Sequence, residues 1–267
     1  MKYGFIGTGC MGGALATACA KAIGPEDILL SNRSPEKAQA LAEKLGAIPA
    51  DNEAITRDCD VIFLGVKPQT MAQMLLPLQP ILAGRRTPFV LVSMAAGVTI
   101  EALQDMAGGR YPVVRIMPNT ACAVGAGMTY TCSAEVTDRQ RQTVLDALAA
   151  SGLLEEIEEG LMGAASAVAG CGGAYACLFL EGLADGGVLC GLPRKKAQRM
   201  AAQMLLGMAT QALESDEHTG ALKDAVCSPA GSTIAGIRKL ESMSFRSAAM
   251  EAVIAAWERE REMQQQK

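Results

Sequence analysis

A glycine-rich turn near the amino terminus constrains the fold of this chain most strongly. An apolar run at residues 2–6 leads into Gly7-Thr8-Gly9-Cys10-Met11-Gly12, and residues 11–23 then show a helical pattern. A strand, a GxGxxG turn and a helix in this order place backbone N–H groups at a helix N-terminus, where they can hold a pyrophosphate. The turn therefore predicts a dinucleotide-binding βαβ unit. The alternative is a glycine turn packed tightly for structural reasons only.

The alternation of strand and helix patterns continues to about residue 158, which predicts a mostly parallel sheet of the Rossmann type. The predicted strands are residues 2–6, 28–31, 60–65, 88–92, 112–117, 127–131 and 153–157. The predicted helices between them are residues 11–23, 35–45, 68–78, 99–106 and 137–150. Ser34 is expected to cap the helix that begins at Pro35.

The pattern changes near residue 160. After Gly160 the strand signal ends, and long patterns of Ala, Leu and Met predict helices at residues 162–190, 193–214, 231–242 and 244–264. We therefore expect a dinucleotide-binding Rossmann domain at residues 1–160 and an all-helical dimerisation and substrate domain at residues 161–267. The apolar surface of these helices is larger than one small domain can bury by itself, so a partner chain is expected to bury part of it.

Composition argues against several classes of function. The net charge is -4 and aromatic residues make up 4% of the chain, so no nucleic-acid surface is expected. Nine cysteines without a CxxC spacing, such as Cys19, Cys177 and Cys190, favour reduced core residues and a cytoplasmic location. Residues 164–180 are uncharged, but glycines interrupt them and acidic residues follow, so no membrane span is expected. No metal-ligand spacing occurs, and the single histidine, His218, is expected to cap a helix.

The end of the second strand indicates which dinucleotide is bound. Residues 30–34 read Leu-Ser-Asn-Arg-Ser and contain no carboxylate. A carboxylate here would accept hydrogen bonds from the adenosine ribose and repel a 2′-phosphate. Arg33, with Asn32 and Ser34 as donors, would instead pair with that phosphate. NADPH is therefore favoured over NADH, and the alternative is that Arg33 merely solvates a turn.

Three further loops carry candidate polar groups. Val66-Lys67-Pro68-Gln69 and Met117-Pro118-Asn119-Thr120 follow predicted strands, where open α/β sheets bind ligands, although any loop also needs such turn residues. Residues 224–234 end in small hydroxylated residues at the start of a predicted helix, a place that could hold a substrate carboxylate. An ordinary helix cap by Ser228 or Ser232 is the alternative.

Several motifs follow one another in a fixed order and spacing along the chain. They are residues 5–12, residues 66–69, residues 115–120, Gly191-Leu192-Pro193, residues 222–236 and Phe245-Arg246. By these motifs the chain resembles the pyrroline-5-carboxylate reductase family over essentially its whole length. In the family a stretch near the substrate usually reads Gly-Ser-Gly-Pro-Ala-Tyr, whereas residues 170–175 of this chain read Gly-Cys-Gly-Gly-Ala-Tyr. Cys171 thus replaces the usual serine, and Gly173 replaces the usual proline.

The resemblance implies the NADPH-dependent reduction of the cyclic imine 1-pyrroline-5-carboxylate to L-proline, the last step of proline biosynthesis. Such an imine can enter as an iminium, so the enzyme must chiefly align hydride donor and acceptor. By the resemblance, Thr233 would orient or protonate the ring nitrogen, backbone N–H groups around Gly231, Ser232 and Thr233 would hold the carboxylate, and Cys171 would lie near the substrate. In the family this loop comes from the second subunit of a homodimer, which can assemble further into a homodecamer.

The resemblance also implies a set of coenzyme-binding residues. They are Gly7, Thr8, Gly9, Cys10, Met11 and Gly12 at the pyrophosphate, Asn32, Arg33 and Ser34 at the 2′-phosphate, and Val66, Lys67, Pro68, Ala95, Ala96 and Asn119 along the ribose and nicotinamide. Two alternatives stay open at this point. One is a reductase of another cyclic imine or a related small acid, and the other is a non-catalytic, dinucleotide-binding regulatory protein.

Overall fold

The computed structural model describes residues 1–265 and divides the chain into two compact units. The first unit comprises Met1–Cys171 together with the chain from Ala256 onward, and the second comprises Gly172–Ala255. The domain boundary near residue 160 stays a prediction, and the last two residues of the expected helical domain lie outside the described residues.

The first unit is built on eight strands. These are β1 (Tyr3–Ile6), β2 (Ile28–Ser31), β3 (Ile48–Pro49), β4 (Val61–Leu64), β5 (Val90–Ser93), β6 (Val113–Pro118), β7 (Gly127–Ala134) and β8 (Gly152–Glu156). They form one sheet in the order β3-β2-β1-β4-β5-β6-β7-β8, and the described neighbours pair in parallel except β6 with β7. The mostly parallel sheet that the alternating pattern predicts is therefore confirmed.

The helices alternate with the strands in the first unit and then continue alone. They are α1 (Cys10–Ile23), α2 (Pro35–Leu45), α3 (Asn52–Asp58), α4 (Pro68–Leu75), α5 (Gln79–Gly84), α6 (Ile100–Ala107), α7 (Asp138–Leu148), α8 (Met162–Ala165), α9 (Gly172–Leu189), α10 (Arg194–Glu214), α11 (Thr219–Ala225), α12 (Ser232–Ser242) and α13 (Phe245–Gln265). Short 3₁₀ turns occur at Pro25–Asp27, Leu76–Leu78, Thr120–Val124, Ala149–Ser151 and Glu159–Leu161, and a π-helical turn at Ser166–Gly170.

The core of the first unit lies on both faces of the sheet. Every residue of β1, β2, β4 and β5 is buried, as continuous apolar runs in a doubly covered parallel sheet require. Successive side chains alternate between two core clusters, so that Phe5 belongs to one and Ile6 to the other. Phe5 stacks on Phe63 with ring centroids 4.3 Å apart. The central strands are thereby fixed in position, and so are the loops that follow them.

Several local expectations are wrong, each for a physical reason. The helix predicted at 68–78 is interrupted at Leu76–Leu78, where Pro77 lacks the N–H that a continuous helix needs. The helix predicted at 162–190 is divided by the π-helical turn. Ser34 precedes α2, but its side chain makes no capping hydrogen bond. Instead, the backbone N–H of Ser34 donates to Asn32 Oδ1 at 3.2 Å, which closes a local turn before the helix.

The second unit consists of α9 to α12 and most of α13. Within it, Arg194 pairs with Asp185 and the Tyr175 hydroxyl donates to the Ala252 carbonyl oxygen at 3.1 Å. The helical stretch Glu159–Leu189 is long and apolar enough to cross a membrane by length and composition, and 11% of its most apolar window is buried. Length and composition alone do not distinguish a membrane span from a helix that packs against protein.

Candidate active site

The loops that follow the central strands leave the same edge of the sheet. Ile6 lies opposite both Ser31 and Leu64, and Leu64 lies opposite Ser93, so the carboxyl ends of these four parallel strands are aligned. The chain order along the sheet reverses between β1 and β4. Open α/β sheets bind their ligands at such a switch point. The structure thus brings the predicted coenzyme segments of the first unit to one edge.

The glycine turn has the geometry of a pyrophosphate cradle. Gly7 has a φ of +97°, and a Cβ atom there would lie 2.8 Å from the Gly65 carbonyl carbon. A Cβ at Gly12 would overlap the Gly7 carbonyl oxygen. Close packing of the turn therefore explains why residues 7 and 12 are glycines, but it does not explain why residue 9 is one. No described atom lies within 4 Å of a Cβ built on Gly9, which leaves room for a ligand to approach its backbone.

The start of α1 is open to an anion. Gly9 occupies the N-cap position without a side-chain capping hydrogen bond, so the first N–H groups of the helix have no side-chain acceptor there. Cys10 is exposed and Met11 is half-buried, and both lie in the first turn of the helix. The helix dipole adds a positive field at the same place.

Asn32 connects the glycine turn to the end of β2. Its Nδ2 donates to Thr8 Oγ1 at 3.1 Å, while its Oδ1 accepts from the Ser34 backbone N–H. Thr8 is buried, and its hydroxyl lies 3.5 Å from the Ser31 carbonyl oxygen. Arg33 is exposed and forms no salt bridge to any residue that the structure describes. The amide of Asn32 thus holds the loop in shape, and the guanidinium of Arg33 is accessible to a phosphate.

The remaining coenzyme candidates lie after β4, β5 and β6. Lys67 is exposed at the N-cap position of α4, Ala95 is buried and Ala96 is exposed. Asn119 follows β6, and its Nδ2 donates to the Ala169 carbonyl oxygen at 3.2 Å. Its Oδ1 accepts from the Met128 backbone N–H at 3.4 Å, so this one side chain links the end of β6 to β7 and to the π-helical turn.

The candidate substrate loop lies in the second unit. Helix α12 begins at Ser232 with Gly231 in the N-cap position and without a side-chain capping hydrogen bond. The expectation of an ordinary cap by Ser228 or Ser232 is therefore wrong. Ser232 and Thr233 are exposed, so the loop presents hydroxyls and N–H groups that no capping side chain satisfies. His218, by contrast, caps α11 as predicted, because its Nδ1 accepts from the Gly220 backbone N–H at 3.0 Å.

The cysteines divide by exposure. Burial raises the pKa of the Cys59 thiol to about 12 and that of Cys132 to about 11, and it also raises the pKa of Cys19. These three are protonated core residues, as expected. Cys177 and Cys190 are exposed within one chain, so their assignment to the core of the chain is wrong.

A buried polar cluster in the first unit escaped the sequence reasoning. Arg115 Nη1 lies 2.9 Å from Glu159 Oε1, and the Arg115 side chain is 3% exposed. Glu159 Oε1 also accepts from the Ile100 backbone N–H at 2.7 Å, and Glu260 is buried near Arg115. The one available signal was an arginine inside the apolar strand β6.

The sheet edge with its glycine turn, together with a separate helical unit, defines a two-part dinucleotide-binding enzyme of the Rossmann class. Residues 2–97 match the family model described as NADP oxidoreductase, coenzyme F420-dependent, and residues 159–263 match the model described as pyrroline-5-carboxylate reductase dimerisation. These two matches fall on the sheet and on the helices, respectively.

Comparison with whole proteins places the chain in a family. It is 38% identical to a pyrroline-5-carboxylate reductase of Escherichia coli over 97% of this chain and 96% of the relative. It is 39% identical to that of Methanosarcina acetivorans over 98% and 97% of the two chains. The solved structure of Plasmodium falciparum pyrroline carboxylate reductase with NADP bound has a TM-score of 0.88 and 34% identity over 99% of this chain and 98% of that one. The chain belongs to the pyrroline-5-carboxylate reductase family.

Proposed function

We propose that this chain reduces 1-pyrroline-5-carboxylate to L-proline with NADPH, the last step of proline biosynthesis. The observation that carries the proposal is the start of α12, where Ser232 and Thr233 are exposed beside N–H groups that no side chain caps. Such a helix start favours a small anionic substrate. Full-length similarity to pyrroline-5-carboxylate reductases from several kingdoms supports the identity of that substrate.

The coenzyme would lie along the carboxyl edge of the sheet. When bound, it supplies the hydride that reduces the imine carbon. The exposed Arg33 and the neighbouring Ser34 would hold its 2′-phosphate, and the open turn around Gly9 would hold its pyrophosphate. The candidates along the ribose and nicotinamide are Val66, Lys67, Pro68, Ala95, Ala96 and Asn119.

The chain's own groups would bind and orient the substrate and would supply at most one proton to it. Backbone N–H groups at Gly231, Ser232 and Thr233 would hold the carboxylate, and the Thr233 hydroxyl would orient the ring nitrogen or donate a proton to it. Because a cyclic imine can enter already protonated, the reaction needs no histidine or carboxylic acid as proton donor. Cys171 is exposed, in keeping with a place near the substrate.

The chain would act as a homodimer in the cytoplasm, with further assembly into a homodecamer. Large apolar side chains of the second unit are exposed within one chain, including Leu178 at 71%, Leu189 at 90% and Leu213 at 77%. A patch of this kind marks an interface, and the match to a dimerisation model indicates a second copy of the chain as its partner. In the dimer, the Thr233 loop would serve the coenzyme site of the partner chain.

Steady-state turnover with NADPH and 1-pyrroline-5-carboxylate tests the proposal. We expect Thr233→Ala to lower kcat at least about tenfold, because the ring nitrogen loses its hydroxyl partner. We expect Arg33→Ala to raise the KM for NADPH about tenfold and to leave the KM for NADH nearly unchanged, because only NADPH carries the 2′-phosphate.

The same assay separates the competing functions. Faster turnover of a six-membered cyclic imine would replace the proposed substrate by a larger one, since a ring larger by one carbon changes binding by only ~1 to 3 kcal/mol. Coenzyme binding without turnover of either imine would establish the regulatory alternative instead. If Arg33→Ala affected both coenzymes equally, the role of Arg33 at the 2′-phosphate would be wrong.

A further inference from the structure

Helix α13 buries an unusual residue. Among residues 245–262, whose side chains the structure describes, Glu260 is the one that is buried, with 6% of its surface exposed. A helix ordinarily buries apolar side chains and exposes its carboxylates. Gly163 lies beside this part of the helix, because a Cβ atom built there would lie 3.6 Å from Trp257 Cδ1 and 4.0 Å from Glu260 Cδ, in ordinary van der Waals contact with both. The carboxylate is therefore buried next to α8 in the first unit.

Burial of this carboxylate costs free energy. Desolvation raises the pKa of Glu260, while the Ser166 hydroxyl, the Arg115 charge and the Gly97 N–H near it act in the opposite direction. Glu260 Oε1, like Arg115 Nε and Nη2, has no hydrogen-bond partner among the described residues. An incompletely satisfied buried group is destabilising, so its presence calls for a compensating role.

The groups near Glu260 belong to two segments of the candidate coenzyme site. Gly97 follows Ala95 and Ala96 in the loop after β5. Ser166 opens the π-helical turn, whose Ala169 carbonyl oxygen accepts from the Asn119 side chain. Single π-helical turns inside helices occur frequently at functional sites. One carboxylate thus lies where the loop after β5 meets the turn that fixes Asn119.

We propose that Glu260 is a positioning residue for the nicotinamide half of the coenzyme site. It acts through Gly97 and Ser166 and holds the two segments at a fixed separation, so that the nicotinamide is presented to the imine in one orientation. The inference rests on the proposed function, since it takes these segments to be the nicotinamide side of the site. Hydride transfer is sensitive to such alignment, and a misplacement of about 1 Å can cost ~10²-fold in rate.

The proposal predicts an effect on kcat rather than on the affinity for NADPH. We expect Glu260→Ala to lower kcat about tenfold with little change in the KM for NADPH, because the phosphate end of the site is unaltered. Glu260→Gln keeps a polar side chain of the same size beside Ser166 and Gly97, so it is expected to restore most of the loss. Glu258→Ala, which removes an exposed carboxylate from the same helix, is the matched control and should retain wild-type kcat.

A readout that needs no imine separates this inference from the proposed function. The fluorescence anisotropy of bound NADPH reports the mobility of the nicotinamide, and we expect it to fall in Glu260→Ala and to recover in Glu260→Gln. Should Glu260→Ala fail to fold, Ser166→Ala removes the neighbouring hydroxyl and should shift anisotropy and kcat in the same direction. Unchanged anisotropy and kcat in the folded variants, or equal losses in the Ala and Gln variants, would overturn the positioning role.

Discussion

The two units of the chain differ in how much of their apolar surface one chain can cover. In the first unit the central strands are buried on both faces and their side chains form two core clusters. In the second unit the buried apolar residues are Ala184, Ala197, Ala201 and Leu222, while many larger side chains are exposed. The sheet unit can therefore bury its core within one chain, whereas the helical unit leaves apolar surface that a partner chain could cover.

A charge on the uncovered helical surface should have the largest effect. Leu178 of α9 is 71% exposed within one chain, so Leu178→Glu should still fold locally but should place a charge in the proposed dimer interface. We expect loss of the dimer, seen as a lower mass in light scattering, and loss of turnover with it. Leu76→Glu, at a residue 64% exposed in the first unit, is the control and should leave both unchanged. If both variants kept the dimer and turnover, or both lost them, the two units would not differ in their need for a partner chain.

The glycine turn offers a test inside the first unit. Gly12→Ala places a Cβ against the Gly7 carbonyl oxygen, and such overpacking typically destabilises by about 1 to 3 kcal/mol. Gly9→Ala meets no described atom within 4 Å, so the fold should be retained while the affinity for NADPH falls. Thermal unfolding and coenzyme titration of both variants check this. If Gly9→Ala strongly destabilised the fold but left the affinity for NADPH unchanged, the turn would have only a structural role.

Local sequence could predict some parts of this structure and not others. Strands such as β1 and β4 were predictable because they are short apolar runs between turn residues. By contrast, β3 has two exposed residues and gives no such signal. The burial of Glu260 arises from contacts between segments far apart in the chain, which periodicity does not encode. The π-helical turn likewise has no signal in the sequence pattern. The uncapped start of α12 also required the structure, because Ser228 and Ser232 are both competent caps by residue type.

The candidate substrate loop contains a strained residue that permits a smaller test. Ala230 has a φ of +58°, a left-handed conformation that disfavours any residue with a Cβ. Ala230→Gly should therefore raise the free energy of unfolding by about 1 kcal/mol, because the strain it relieves exceeds the cost of the added flexibility of the unfolded chain. Denaturant titration measures it, with Ala221→Gly in α11 as a control that should be destabilised instead. A loss of stability in Ala230→Gly would show that the loop is not strained at this residue.

The buried carboxylate predicts a small dependence of stability on pH. Because burial raises the pKa of Glu260 above its ordinary 4.5, the folded protein binds this proton more tightly than the unfolded chain does. Its contribution is most favourable at low pH and is lost as the pH rises through the raised folded value. Glu260→Gln does not titrate, so the stability of the wild type relative to this variant should fall as the pH rises. Arg115 and Glu159 remain in both proteins, and a constant difference would contradict the raised pKa.

The central claim is that the sheet unit holds the coenzyme while the helical unit of the partner chain supplies the substrate loop. Mixing Gly9→Ala, which is expected to fold but to bind NADPH weakly, with Thr233→Ala, defective in the loop, tests it directly at a low NADPH concentration. A shared site leaves one intact site in each mixed dimer, so turnover after subunits exchange should rise to about a quarter of the wild-type value. If both halves of the site came from one chain, every site in the mixture would carry a defect, and turnover would stay at the level of the two variants.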